Sequence, residues 1–241
     1  KSLEKQHPSI REQLLRGDCD ITEESRFKRH WARYYSMKGN YFLLEHEGEV
    51  KSFHIGEAVK IFATMDPAIS RRDYVVKDGK KRSHCVISVW AYFPSGDLLL
   101  VGHRRFRGEL DVAIQHAKGM YMEFKPEYFR IETNNMGEVV RQLLVKNGIR
   151  TVGKATSTDK VANSVEAAIR MSEGHIWFPK SAPYLVDLET EIFTWTGDED
   201  EQDDQVDNLS NAVHEVSWEA FAQSREETSN QVASAMVPFI Y

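Results

Sequence analysis

Hydrophobic and polar positions change rhythm along this chain at about residue 60. Before it, residues 1–50 are largely polar, with one patch of helical spacing, PSIREQLLRG (8–17), ending on Gly17 where a helix C-terminus favours glycine. After it, short apolar runs alternate with amphipathic stretches. KIFATMD (60–66) predicts a buried strand stopped at once by Pro67 and Ala68. HCVISVWAYF (84–93) and DLLLVGHRRF (97–106), joined by the turn signal PSG, predict an antiparallel hairpin. Helical spacing returns in 111–124, 136–148, 157–174, 183–196 and 204–216, and a last polar helix is expected over 218–230. Between these helices lie strand-like YFRIE, IRTVGKA and HIWFP. A strand, a hairpin, then helices alternating with strands specify an α/β layer: a mixed sheet flanked by helices.

Composition agrees with a folded chain and excludes some classes. Of 241 residues, 41% are hydrophobic and 11% aromatic, enough for a sizeable core. Two cysteines, Cys19 and Cys85, are too few for a disulfide framework or a cysteine-ligated zinc site, which points to a reducing compartment. No apolar run reaches the length of a membrane span, and no GxxxxGK[ST] phosphate loop is present. The chain opens on Lys1 rather than methionine, as expected of a piece of something longer. A net charge of −6 does not announce a nucleic-acid binder, but an acidic cluster and a basic groove cancel in such a sum. In RFKRHWARYY (26–35), the aromatics Phe27, Trp31, Tyr34 and Tyr35 are expected to strap the lead-in onto the main domain rather than to touch nucleic acid.

Candidate chemistry is carried by acids at element ends. Asp66 ends the first strand, Glu132 ends the strand YFRIE, and Asp203, Asp204 and Asp207 open the 204–216 helix. A hairpin and a crossover helix separate the two strands, so they can lie parallel and adjacent, with both acids at the carboxyl edge where open α/β sheets place ligands. Carboxylates so close repel one another unless a cation lies between them. All-oxygen donor sets favour magnesium or manganese over zinc. Each acid alone has a plainer explanation: a turn beside proline, a strand-end cap, or first-turn charge favoured by the helix dipole. Their joint order, and the apolar stripe Val206, Leu209, Ala212 and Val213 that would press their helix onto the sheet, favour a shared site.

An acid after strand one, an acid after strand four and an acid on a late helix resemble the ribonuclease-H-like arrangement. More narrowly, HIWFPKSAPYLVDLETEIFTWTGDEDEQDDQVDNLSNAV resembles the end of the nuclease domain of viral (tailed bacteriophage) terminase large subunits. MDPA, IETNNMG and GKATSTDKV match further parts of that family's pattern, and the likeness spans about residues 55–216. There are departures: Gln202 stands where the family usually has histidine before DD. The family's second-strand acid is either Asp73, followed by an insertion, or missing, with Ser83 in its place. The resemblance implies a metal-dependent endonuclease that cuts concatemeric viral DNA in the host cytoplasm, using two Mg2+ or Mn2+ ions about 4 Å apart. Asp66 would bridge both ions, Glu132 would bind one, and Asp204, helped by Asp203 or Asp207, the other. Near the site, His175 or Lys160 could hold a phosphate or shuttle a proton, though a histidine at that place is more often just a strand-edge residue. Double-stranded DNA, an ATPase domain of the same polypeptide, the portal and the small subunit are the implied partners, with no membrane.

A phosphate track is expected from Arg71, Arg72, Lys77, Lys80, Lys81 and Arg82 after Asp66, from Arg104, Arg105 and Arg107 at the hairpin's end, and from Lys154 and Lys160. The expected organisation is a lead-in at 1–55, a ribonuclease-H-like nuclease domain at 56–220 and a C-terminal helix and tail at 221–241. Rival readings are a junction resolvase or transposase-like nuclease of the same superfamily, and a non-catalytic docking module whose acids form an electrostatic patch.

Overall fold

The computed structural model describes residues 25–68, 84–133, 135–154, 160–198 and 201–217. The expected helices at 8–17 and 218–230, the acid candidate Asp73, and Arg71, Arg72, Lys77, Lys80, Lys81 and Arg82 lie outside the described residues.

Among the described residues, nine strands form one sheet. In chain order they are β1 (Arg33–Lys38), β2 (Tyr41–His46), β3 (Glu49–His54), β4 (Lys60–Asp66), β5 (Cys85–Tyr92), β6 (Leu98–Phe106), β7 (Phe129–Glu132), β8 (Thr151–Lys154) and β9 (Ile176–Pro179). Their spatial order is β3-β2-β1-β9-β6-β5-β4-β7-β8. The helices are α1 (Leu110–Phe124), α2 (Asn135–Lys146), α3 (Lys160–Ser172), α4 (Leu185–Thr194) and α5 (204–217). The expected hairpin is β5–β6, and β4 runs parallel to β7 with Met65 opposite Ile131. The mixed sheet flanked by helices is therefore the one the alternating rhythm specifies.

Period-two alternation decides which face each strand residue serves. Ala63 and Met65 of β4, Cys85, Ile87 and Val89 of β5, and Phe129 and Ile131 of β7 pack with Ala113, Ala117 and Met120 of α1 and Val140 and Leu144 of α2. Phe62, Trp90 and Leu100 face the other way, against Ala167 and Met171 of α3, Leu188 and Ile192 of α4, and Val206, Leu209 and Val213 of α5. Because both faces are covered, β4 and β5 read as nearly continuous apolar runs.

Part of the expected lead-in is sheet. Residues 33–54 form the meander β1–β2–β3, and β1 adds to β9 in parallel. Its turns use Gly39 and the pair Glu47 and Gly48, all at positive φ. Phe42 and Leu44 alternate inward from β2 and meet Phe93, Phe53 and Tyr35 in a third, aromatic cluster. Enclosing Phe42 and Phe93 contributes roughly 2–3 kcal/mol each, which is how so polar a segment stays on the sheet. The aromatic strap packs as expected: Phe27 is buried, and Trp31 and Tyr34 lie half-buried against the core.

α5 crosses its face antiparallel to β4 and is held by polar contacts as well as by its apolar stripe. Asn208 accepts from the Thr64 hydroxyl at 2.8 Å and donates to the Val86 carbonyl, while Trp90 donates to Thr64. Gln205 bonds His103, which bonds Ser88, both at 2.9 Å. Near its far end, Glu215 meets Tyr128, Lys60 and Arg130. Each such contact fixes the rotation and height of α5 on the sheet, because a slip would bury polar atoms without partners.

Burial pulls the pKa of His103 down to about 4. Its unfolded-state value is near 6.5, so the neutral ring's contribution is complete above that pH and is lost as pH falls towards 4. Urea unfolding at pH 7 and pH 4.5 should show the parent losing roughly 2–3 kcal/mol more than His103→Gln does over the same interval. Equal losses in the two proteins would contradict this.

Candidate metal centre

The parallel pairing of β4 and β7 sets Asp66 and Glu132 side by side at the carboxyl ends of neighbouring strands. β8 pairs in parallel with β7, Glu132 opposite Lys154, and brings a lysine to the same lip. α5 delivers its first turn there. Thr64 binds Asn208 along β4, so Asp204, one turn earlier on the helix, arrives beside the strand's last residue. Four carboxylates from three elements, those of Asp66, Glu132, Asp204 and Asp207, thus come within one another's field.

Electrostatics record the crowding. Burial, then the charges of Glu132, Asp207 and Asp204, hold the Asp66 carboxyl well above the usual range, with Lys160 opposing. Asp207 is pushed up to about 6, by burial first, with Asp203 and Glu132 adding to the shift and Lys160 working against it. Such shifts mark carboxylates short of positive charge.

Each acid of α5 has its own partners. Asp204 Oδ2 accepts from the backbone N–H of His84 at 2.9 Å and from the Gln202 amide at 3.1 Å, and lies 3.3 Å from His84 Nδ1. Lys160, the first residue of α3, places Nζ 2.5 Å from Asp203 and 3.1 Å from Asp207. Lys154 reaches Asn211 on the next turn of α5, and burial lowers its pKa. The thiol of Cys85, sealed under α1 at the start of β5, is raised by burial and by Asp66 and Asp204.

Among the described residues, no three side chains of His, Cys, Asp or Glu are close enough to clasp an ion as they stand. In kind they suit one nonetheless. The donors are carboxylate oxygens, the set that hard divalent cations take, and the charge they lack is the charge such an ion carries.

The expected basic residues divide. Lys154 and Lys160 are at the lip, already engaged with α5. Arg104 turns to the opposite face and pairs with Glu123 of α1 at 2.9 Å, while Arg105 pairs with Asp187 and Glu191 of α4. His175 is the strand-edge residue of the plainer reading. β9 runs parallel to β6, so its first residues lie at the opposite edge of the sheet, where His175 bonds Asp97 next to Trp177. His84 went unread in the sequence. Its signal was its place directly before the strand that pairs with β4.

A family model described as a terminase RNaseH-like domain matches residues 63–215. Among solved structures, the large terminase nuclease from thermophilic phage G20c with bound cobalt superposes with a TM-score of 0.50. It is 15% identical, with 80% of this chain and 98% of that one covered. The same nuclease with bound magnesium gives 0.49 at 16% identity, with coverage of 80% and 98%. A manganese-soaked, inhibitor-bound human cytomegalovirus terminase nuclease domain gives 0.48 at 14%, with coverage of 80% and 94%. At such identities the likeness of the cobalt-bound nuclease speaks for the fold. No curated protein matches the sequence.

Proposed function

The chain belongs to the terminase RNaseH-like family, and we propose that it is a divalent-metal-dependent DNA endonuclease that cuts concatemeric viral genomes during packaging. The observation that carries this is the convergence of Asp66 and Glu132, at the ends of adjacent parallel strands, with Asp204 and Asp207 on the first turn of α5, at one lip of the sheet. Two Mg2+ or Mn2+ ions would be held by Asp66, Glu132 and Asp204, supported by Asp207 or Asp203. When bound, such ions supply a nucleophilic hydroxide and charge stabilisation at the phosphodiester.

The chain's own residues prepare that site. His84 and Gln202 hold one oxygen of Asp204, which leaves the other directed by their grip. Asp204 is buried, and Asp66, Glu132 and Asp207 are partly so, which makes each charge act more strongly than in open water. Lys154 and Lys160 are poised for phosphates beside the acids. Arg71, Arg72, Lys80, Lys81 and Arg82 extend the track in sequence, and Arg104 serves it only by leaving Glu123. The sequence carries no base-reading motif, which suits cleavage of many sequences. Double-stranded DNA is the substrate, in the host cytoplasm. The ATPase domain of the same polypeptide, the portal and the small subunit are the partners.

A plasmid-nicking assay tests this. The parent should cut in Mn2+ or Mg2+ and stop in chelator, and Glu132→Gln and Asp204→Asn should each lose roughly a hundredfold or more. Chelator-resistant cutting, or full activity in both variants, would refute the assignment.

A further inference from the structure

We propose that Lys160 is an exchangeable counter-ion of the metal centre: its ammonium occupies the Asp203–Asp207 pair in the metal-free protein and competes there with the incoming divalent cation. The inference rests on the function proposed above and deepens it, by assigning a residue that sets the affinity for metal.

Asp203 and Asp207 lie one helical turn apart at the start of α5, so their carboxylates share a face. One ammonium bridges them, 2.5 Å from Asp203 Oδ2 and 3.1 Å from Asp207 Oδ2. Asp203 and Asp207 are mostly shielded, whereas the lysine side chain keeps about half its surface in solvent (49%) and can swing away without unpacking the core. Asp204, between them in sequence, is gripped instead by His84 and Gln202. The acids are thus sorted: among the described residues, no lysine bridges Asp66, Glu132 and Asp204 in this way, while Asp203 and Asp207 are already served by a tethered cation.

A divalent ion that recruits Asp207 must take it from Lys160. Two consequences follow from that exchange. The lysine weakens metal binding, because its attraction to Asp207 is forfeited and its charge repels the ion. Once displaced, its ammonium stands at the lip with its donors open to a phosphate, so metal loading hands a cation from carboxylate to DNA.

Calorimetric titration of Mn2+ into the parent, Lys160→Met, Lys160→Arg and Asp66→Asn, without DNA, separates the possibilities. Lys160→Met should bind Mn2+ roughly three- to tenfold more tightly than the parent, and Lys160→Arg within about twofold of it. A ligand-supporting or purely DNA-binding lysine predicts weaker or unchanged binding in Lys160→Met, and either result would overturn the counter-ion role. If the parent binds Mn2+, Asp66→Asn does not, and Lys160→Met fails to tighten, the metal centre stands and the inference alone falls. If the parent takes up no Mn2+, both fall.

Discussion

Asp66→Asn should reduce plasmid nicking by roughly a thousandfold or more, while the metal-free protein becomes no less stable than the parent. The two halves of this result have one cause. Asp66 ends β4, desolvated and facing Glu132, Asp204 and Asp207. Its charge is unfavourable to the fold without a cation and indispensable with one. Asparagine keeps the shape and hydrogen-bonding capacity but removes the repulsion. The sign with pH follows: a carboxyl raised in the folded state adds stability at low pH, which is lost as pH rises. Thermal melts in chelator at pH 8 should therefore favour Asp66→Asn over the parent, and adding Mn2+ should raise the parent's midpoint but not the variant's. A variant that melts well below the parent in chelator would show the carboxylate to be a structural support instead.

The second large effect lies at the other end of α5. Glu215 (7% exposed) accepts a hydrogen bond from Tyr128, lies 3.6 Å from the buried Lys60 ammonium and pairs with Arg130. Glu215→Ala removes the carboxylate that two cations of the sheet share, in a place where water cannot replace it. Breaking a buried pair from one side costs about 3–5 kcal/mol. Urea unfolding should show a loss of that order, with the midpoint moved and the slope kept. Mn2+ affinity of the remaining folded protein should be unchanged, because the metal lip and Glu215 sit at opposite ends of the helix. A loss under about 1 kcal/mol would mean that the cluster is idle.

What the sequence disclosed depends on how far each feature reaches. β4 and the β5–β6 hairpin were legible because both faces are buried, so runs such as IFATM carry a nearly continuous apolar signal that proline or a PSG turn then ends, and β7 was legible from the alternation of FRIE. The β1–β3 meander was not. Only one face of β2 is buried, by Phe42 and Leu44, and because Tyr41 and Leu43 on the other face are apolar too, YFLLEH shows no two-residue period. Acids at strand ends and on the first turn of a helix were visible because element boundaries are local. Their partners were not. His84 reaches Asp204 across 120 residues and Lys160 reaches Asp203 across 43, and nothing in either neighbourhood specifies the other. His175 stayed between two readings for a related reason: HIWFP says strand, but only its pairing with β6 tells which edge its first residue faces.

Cys85 carries a last consequence. It is buried (1% exposed) between β5 and α1, and its thiol is held protonated. An alkylating reagent can reach such a sulfur only when α1 lifts from the sheet or the whole chain opens. With Cys19 replaced by serine, the rate of modification becomes a clock for excursions out of the native state, and a cation that clasps only the closed lip should slow it.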